Sequence, residues 1–214
     1  MDKSTSIAPH AEWSVHVSVD AWEAEQAVEE IYRLAGAPDD EAWLPSRLAH
    51  VILGRPVRPV ANLRPLARLE EHNGAREIVV RRTLPSPIAE WAVGHELGHL
   101  VGIRSERMAS YVGAAILLRR GPFLRALREG EPWHVLAERF GTTSTSVVLR
   151  AAELTGRPLA VVTPAHVYAR GEAAWPDEQT LRQWARHGAP GIRRAVLRDE
   201  PRRVVLEADE DETG

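Results

Sequence analysis

Apolar residues at Ala24, Val28, Ile31 and Leu34 recur at helical spacing, which predicts an amphipathic helix over AWEAEQAVEEIYRLAG. Asp20 precedes it as a cap, Glu23 is placed for a capping box, and Gly36 is a stop. PSRLAHVILG predicts a shorter helix, with Pro45 near its start and Gly54 past its end. In LARLEEHNGAREIVVRRTL, two strand-like runs flank His72-Asn73-Gly74, a turn that suits a hairpin because Asn and Gly tolerate positive φ. Ser86 and Pro87 open a helix that runs to about Val101. Gly102 ends it, and Ser105 caps the next helix, Glu106 to Leu118.

From Gly121 to Leu154 the pattern stays helical, in GPFLRALREG, PWHVLAERFG and TSTSVVLRAAEL. Beyond Gly156, RPLAVVTPAHVYARG and PRRVVLEA read as short strands around one helix, DEQTLRQWARHG. The expected class is α+β, in four parts. These are a loose N-terminal arm over 1–19, a main domain over 20–120, a helical segment over 121–156, and a β-containing C-terminal extension with an acidic tail over 157–214.

A composition 44% hydrophobic and 27% charged is that of an ordinary globular protein, and a net charge of -3 gives no general pull toward nucleic acid or anionic membranes. No cysteine is present, so disulfides are excluded and any metal must be held by His, Asp or Glu. The stretch MDKSTSIAPHAEWSVHV lacks the basic start and apolar core of a secretory signal, and no apolar run approaches the roughly 18 residues that span a bilayer. The expected location is the cytoplasm, with no membrane partner.

The candidate chemistry lies in AVGHELGHLVGIRSERMASYVGAAILL, from Ala92 to Leu118. Residues four apart share a helix face, so His95 and His99 can each bring a ring nitrogen to about 2.0–2.1 Å from one zinc ion. Glu96 lies about 100° round the helix, where its carboxylate flanks the metal as a base without binding it. Open catalytic zinc sites use three protein ligands. Glu106 is the expected third: if the chain reverses at Gly102, the helix capped by Ser105 returns against the histidine face. Gly94 and Gly98, also four apart, remove side chains where that helix approaches. One zinc ion per chain is expected, with Glu90 pointing away.

The segment from Ala67 to Leu118 resembles the ImmA/IrrE family of zinc metalloendopeptidases. In that family a strand pair leads into HELGH, and a second helix reads E-x-x-A-x-x-F-A followed by an apolar pair. Here Glu106 occupies the ligand glutamate position, Ala109 the alanine and Leu117-Leu118 the apolar pair, while Val112 and Gly113 replace Phe and Ala. Ser110 falls where such enzymes often have an Asn or Asp that orients a zinc histidine. The resemblance extends into LAERFGTTSTSVVLRAAEL and covers about two-thirds of the chain. It implies a zincin-like domain and an intracellular endopeptidase that cuts a helix-turn-helix repressor, releasing phage, mobile-element or stress genes. The chemistry implied is peptide hydrolysis with Glu96 as the proton carrier, the substrate lying along the hairpin edge beside the strand over residues 78–82. Zinc peptidases commonly use a His or Tyr to stabilise the oxyanion, and Tyr111, His166 and Tyr168 are the candidates.

Other features compete with this reading. LAERFGTTSTSVVLRAAEL also has a helix-turn-helix outline, but TTSTS lacks the basic and amide side chains of a DNA-reading helix, so packing or substrate docking is the expected role. The alternatives are a DNA- or repressor-binding regulator with a non-catalytic metal site, and the protease component of a toxin–antitoxin pair. His10, His16, His50, His72, His134 and His187 stand singly and read as surface or satisfied histidines. Trp91, one turn before His95, reads as core, and the pairs Arg81-Arg82, Arg119-Arg120 and Arg202-Arg203 as solvated faces.

Overall fold

The computed structural model describes residues 19–171, 175–198 and 202–208. The expected loose arm and acidic tail, and the side chain of Asp20, lie outside them. The architecture is α+β, with eight helices and two small sheets among the described residues. None of these helices is long and apolar enough to cross a membrane. The described residues form two compact units: 19–123 with Phe140–Thr142, and Leu124–Arg139 with the described residues from Thr143 to Ala208. The second part of the chain is thus more than an extension, because the segment from Leu124 on joins the C-terminal strands in one unit.

In the first unit, α1 (Val19–Ala35) includes Asp20 and so begins earlier than its expected cap; Gly36, at φ 61°, stops it. α2 (Pro45–Leu53) has Pro45 at its start and closes on Gly54 in the left-handed region, as its sequence requires. β1 (Arg58–Val60), β2 (Ala67–His72) and β3 (Ala75–Arg81) form a sheet in the order β1-β3-β2. The β2–β3 turn is Asn73-Gly74 alone, both at positive φ, and His72 is the last paired residue of its strand. β1 pairs parallel to β3. β3 is therefore the central strand and β2 an outer edge, which corrects the expectation that a substrate lies beside residues 78–82.

α3 (Ser86–Leu100) is capped by Pro85 and not by Ser86, which is already helical. α4 (Glu106–Leu117) is capped by Ser105, whose hydroxyl accepts from Met108 N. The core around these helices includes Val28, Ile31, Tyr32, Leu48, Ile78, Val93, Leu97, Val112 and Ile116. The Tyr32 hydroxyl accepts from Trp43 N at 2.9 Å, and burial pushes its pKa up.

Arg119 is buried, against expectation. Its guanidinium donates to Pro38 O at 2.7 Å and Glu29 at 2.9 Å and lies 3.9 Å from the centre of the Tyr32 ring. Arg81 likewise donates to Leu63 O and to the carbonyls of Arg64 and Pro65. Arg203 donates to Thr145. In each arginine pair one member anchors loop or helix groups.

α5 spans Arg120–Arg128. In the second unit, α6 (Trp133–Arg139) and α7 (Ser144–Thr155) precede β4 (Leu159–Val162), β5 (Val167–Arg170), α8 (Glu178–His187), β6 (Ile192–Val196) and β7 (Val204–Ala208). These strands make one antiparallel sheet, β5-β4-β7-β6, with Leu181 and Ala185 of α8 packed on Ala160, Val162 and Leu206. α7 is buried along most of its length. Arg150 is 3% exposed and pairs with Glu153 at 3.2 Å.

Candidate metal centre

α3 and α4 pack at backbone distance because their contact is lined with glycine. A Cβ built on Gly94 would stand 2.9 Å from Gly113 Cα, and one on Gly98 would stand 3.3 Å from Ala109 Cα. A Cβ on Gly113, where the resembled family has Ala, would come within 2.7 Å of Trp91 O and 3.0 Å of His95 N. Close packing needs glycine on both helices, of which the sequence pattern marks only Gly94 and Gly98 on α3.

The reversal between the helices follows from local chemistry. Gly102 takes φ 97°, a left-handed value suited to glycine. Ile103 N then donates to Gly98 O at 3.0 Å, closing the turn. Ser105 starts α4, which puts Glu106 in its first turn.

The three expected ligands meet. His95 Nε2 lies 3.1 Å from His99 Nε2, and the Glu106 carboxylate lies 3.2 Å from the first and 3.4 Å from the second. Tetrahedral bonds of 2.0–2.1 Å separate neighbouring donor atoms by about 3.3–3.4 Å, and each histidine Nε2 lies near that distance from the other and from one Glu106 oxygen, Oε2 for His95 and Oε1 for His99. His95, His99 and Glu106 can hold a metal ion. The histidine side chains are 14% and 23% exposed and that of Glu106 is 81% exposed, so the group opens to solvent on the glutamate side.

The far ring nitrogens are held as well. Ile103 O accepts from His99 Nδ1 at 2.7 Å; a carbonyl can only accept, so the proton sits on Nδ1 and neutral His99 presents a lone pair at Nε2. Ser110 Oγ lies 3.2 Å from His95 Nδ1. It thus takes the orienting position that the resemblance implied, although a hydroxyl can donate or accept and fixes the tautomer less firmly than a carboxylate. Ser110 O also accepts from Trp91 Nε1 at 3.1 Å, and the Trp91 ring stands 5.8 Å from that of His95. Trp91 therefore stands beside the site as well as in the helix packing expected of it.

Glu96 is no part of the three-residue group. Its Oε2 accepts from Leu69 N, on the β2 edge, at 2.9 Å. The backbone amide of Leu69 carries no side-chain signal in the sequence. Glu90 turns to α2, accepting from Ser46 N at 2.9 Å and Ser46 Oγ at 2.7 Å.

Of the oxyanion candidates, Tyr111 packs against the core of the first unit. His166 and Tyr168 belong to the second unit, their rings 6.0 Å apart.

Fold and site together define an α+β protein with a two-histidine, one-carboxylate group able to hold a metal. No family model matches the sequence, and no curated protein is significantly similar to it. Among solved structures, a Mycobacterium tuberculosis transcriptional regulator is similar in fold, with a TM-score of 0.60 at 17% identity, over 88% of this chain and 76% of that one.

Proposed function

We propose that this protein is a zinc-dependent endopeptidase with a zincin-like domain of the ImmA/IrrE type, and that it cuts a helix-turn-helix repressor in the cytoplasm to relieve repression. The observation that carries the reading is the convergence of His95, His99 and the Glu106 carboxylate into a group able to hold a metal ion, with Glu96, next to His95 on the same helix, outside that group. Three protein ligands leave a fourth position open, as catalytic zinc requires. Bound zinc supplies Lewis acidity, polarising the scissile carbonyl and lowering the pKa of a water.

The remaining chemistry belongs to the chain. Glu96 takes a proton from the attacking water and returns it to the leaving amine. His95 and His99 keep their Nε2 atoms on the site because Ser110 and Ile103 occupy their Nδ1 atoms. A substrate segment adds to the β2 edge by main-chain hydrogen bonds, a mode that accepts any extended peptide and leaves selectivity to side-chain pockets. The neighbour named a transcriptional regulator is compatible with a place in gene control, but at its identity it speaks for fold alone.

The test is hydrolysis of a mixed peptide library, and of the helix-turn-helix protein encoded nearest to this one, read by mass spectrometry with zinc-loaded protein. Wild type should cut and Glu96→Gln should be slower by roughly 10²-fold or more while keeping its zinc. A zinc-loaded wild type that cuts neither substrate would leave a regulator with a non-catalytic metal site.

A further inference from the structure

Alternation along an antiparallel ladder decides which backbone groups of β2 face β3 and which face out. Arg81 N donates to Leu66 O at 2.8 Å, and the two-residue turn closes on the pair His72–Ala75. Residues 66, 68, 70 and 72 therefore spend their backbone groups on β3, while those of Ala67, Leu69 and Glu71 face outward. The Leu69 amide donates to Glu96 Oε2 at 2.9 Å, across 27 positions of sequence. The Leu69 side chain meanwhile packs against the core that holds Ile78, so the donor is fixed from the sheet side.

We propose that the backbone amide of Leu69 is a positioning group for Glu96, and that it marks the rung of the β2 edge at which the scissile peptide bond crosses. This rests on the peptidase reading. A glutamate on a helix has several rotatable bonds, and a charge-assisted bond from a rigid donor selects one direction for its carboxylate. With the rung at Leu69 committed to Glu96, a substrate strand pairs with the outward groups of Ala67 and Glu71 and is interrupted between them. The peptide group at the interruption is not locked into the ladder. Its carbonyl carbon is free to become tetrahedral beside Glu96.

Two measurements test this. In amide hydrogen exchange by NMR, the outward-facing Leu69 amide should exchange about 10-fold or more slowly relative to Ala67 and Glu71, and Glu96→Ala should abolish that protection while sparing Arg68 and Glu70. Equal exchange at Leu69 in wild type and Glu96→Ala overturns the proposal. Replacing the Leu69 amide by an ester, through incorporation of the α-hydroxy analogue of leucine, removes the N–H and keeps the side chain. It should lower kcat by about 10- to 100-fold with KM and zinc content unchanged, whereas the same replacement at Glu71 should raise KM and leave kcat. A Leu69 ester with wild-type kcat overturns the positioning role. A wild type that cuts no peptide overturns the peptidase reading and the catalytic role together, and exchange at Leu69 still reports the bond by itself.

Discussion

Replacing glycine by alanine along the α3–α4 contact should split the variants by geometry, because the same methyl group meets backbone at some positions and open space at another. Carbon contacts are ordinary at about 3.5 Å. A Cβ at Gly94 falls short of this by about 0.6 Å and one at Gly98 by about 0.2 Å, while one at Gly113 stands 2.7 Å from a carbonyl oxygen, about 0.6 Å inside an ordinary C···O contact. At all three positions the nearest atom is backbone, but only at Gly113 and Gly94 is the overlap large enough that the helices themselves must part. Alanine otherwise favours a helix over glycine by about 0.5–1 kcal/mol, while overpacking costs about 1–3 kcal/mol. Gly113→Ala and Gly94→Ala should lose about 1–2 kcal/mol net, and Gly98→Ala should be near neutral. Gly121 has nothing within 4 Å of its Cβ apart from its chain neighbours, but it precedes Pro122, which disfavours a helical alanine there, so Gly121→Ala should stay near neutral without the gain that alanine otherwise brings.

The metal adds a second readout. Coordination tolerates errors of about 0.2 Å, so parting α3 from α4 by more than that pulls Glu106 from the histidines and weakens zinc. Urea unfolding and zinc competition against a chromogenic chelator measure the two effects. Gly113→Ala and Gly94→Ala proteins that match wild type in both stability and zinc affinity would refute the packing argument.

Other expectations follow from single contacts. Ser110→Ala should weaken zinc binding by about 10- to 100-fold and Ser110→Asp should restore it, as competition titration would show; equal affinity in all three would remove Ser110 from the site. Glu106→Gln should lose most zinc affinity while Glu90→Gln keeps it, and thermal melts should show the cost of Glu90→Gln as stability, through its bonds to Ser46. Arg119→Ala should destabilise by about 2–4 kcal/mol in urea, since it strips donors from Pro38 O and packing from Tyr32. Asp177, which caps α8, has its pKa lowered by the backbone N–H of Thr180. Its contribution is therefore present above the ordinary aspartate range and fades as pH falls through its lowered value, and the stability of Asp177→Asn should lack that acid-side loss.

The site was legible because its ligands obey helix periodicity. His95 and His99 share a face by spacing, Ser105 carries a capping side chain, and Gly94 and Gly98 mark a close approach. What lay hidden depends on partners distant in sequence or on groups without side chains. The Leu69 amide belongs to the backbone, and Gly113 declares its role only once α4 is seen against Trp91 O. Arg119 and Arg81 look like surface arginines until their long stems are seen reaching loop carbonyls. β1 has three residues and pairs parallel to a distant strand, and β6 exposes adjacent Arg193 and Arg194, so neither shows the alternation that reveals a strand. The turn at Asn73-Gly74 was visible, but the central place of β3 required knowing that β1 exists.

Zinc-edge anomalous diffraction from crystals of the zinc-loaded protein tests the central claim most directly. The account predicts one anomalous peak per chain, bonded at about 2.0–2.2 Å to His95 Nε2, His99 Nε2 and a Glu106 oxygen, with no fourth protein ligand and Glu96 outside bonding distance. No peak at this position, or one bonded to Glu96 or closed by a fourth side chain, would contradict it.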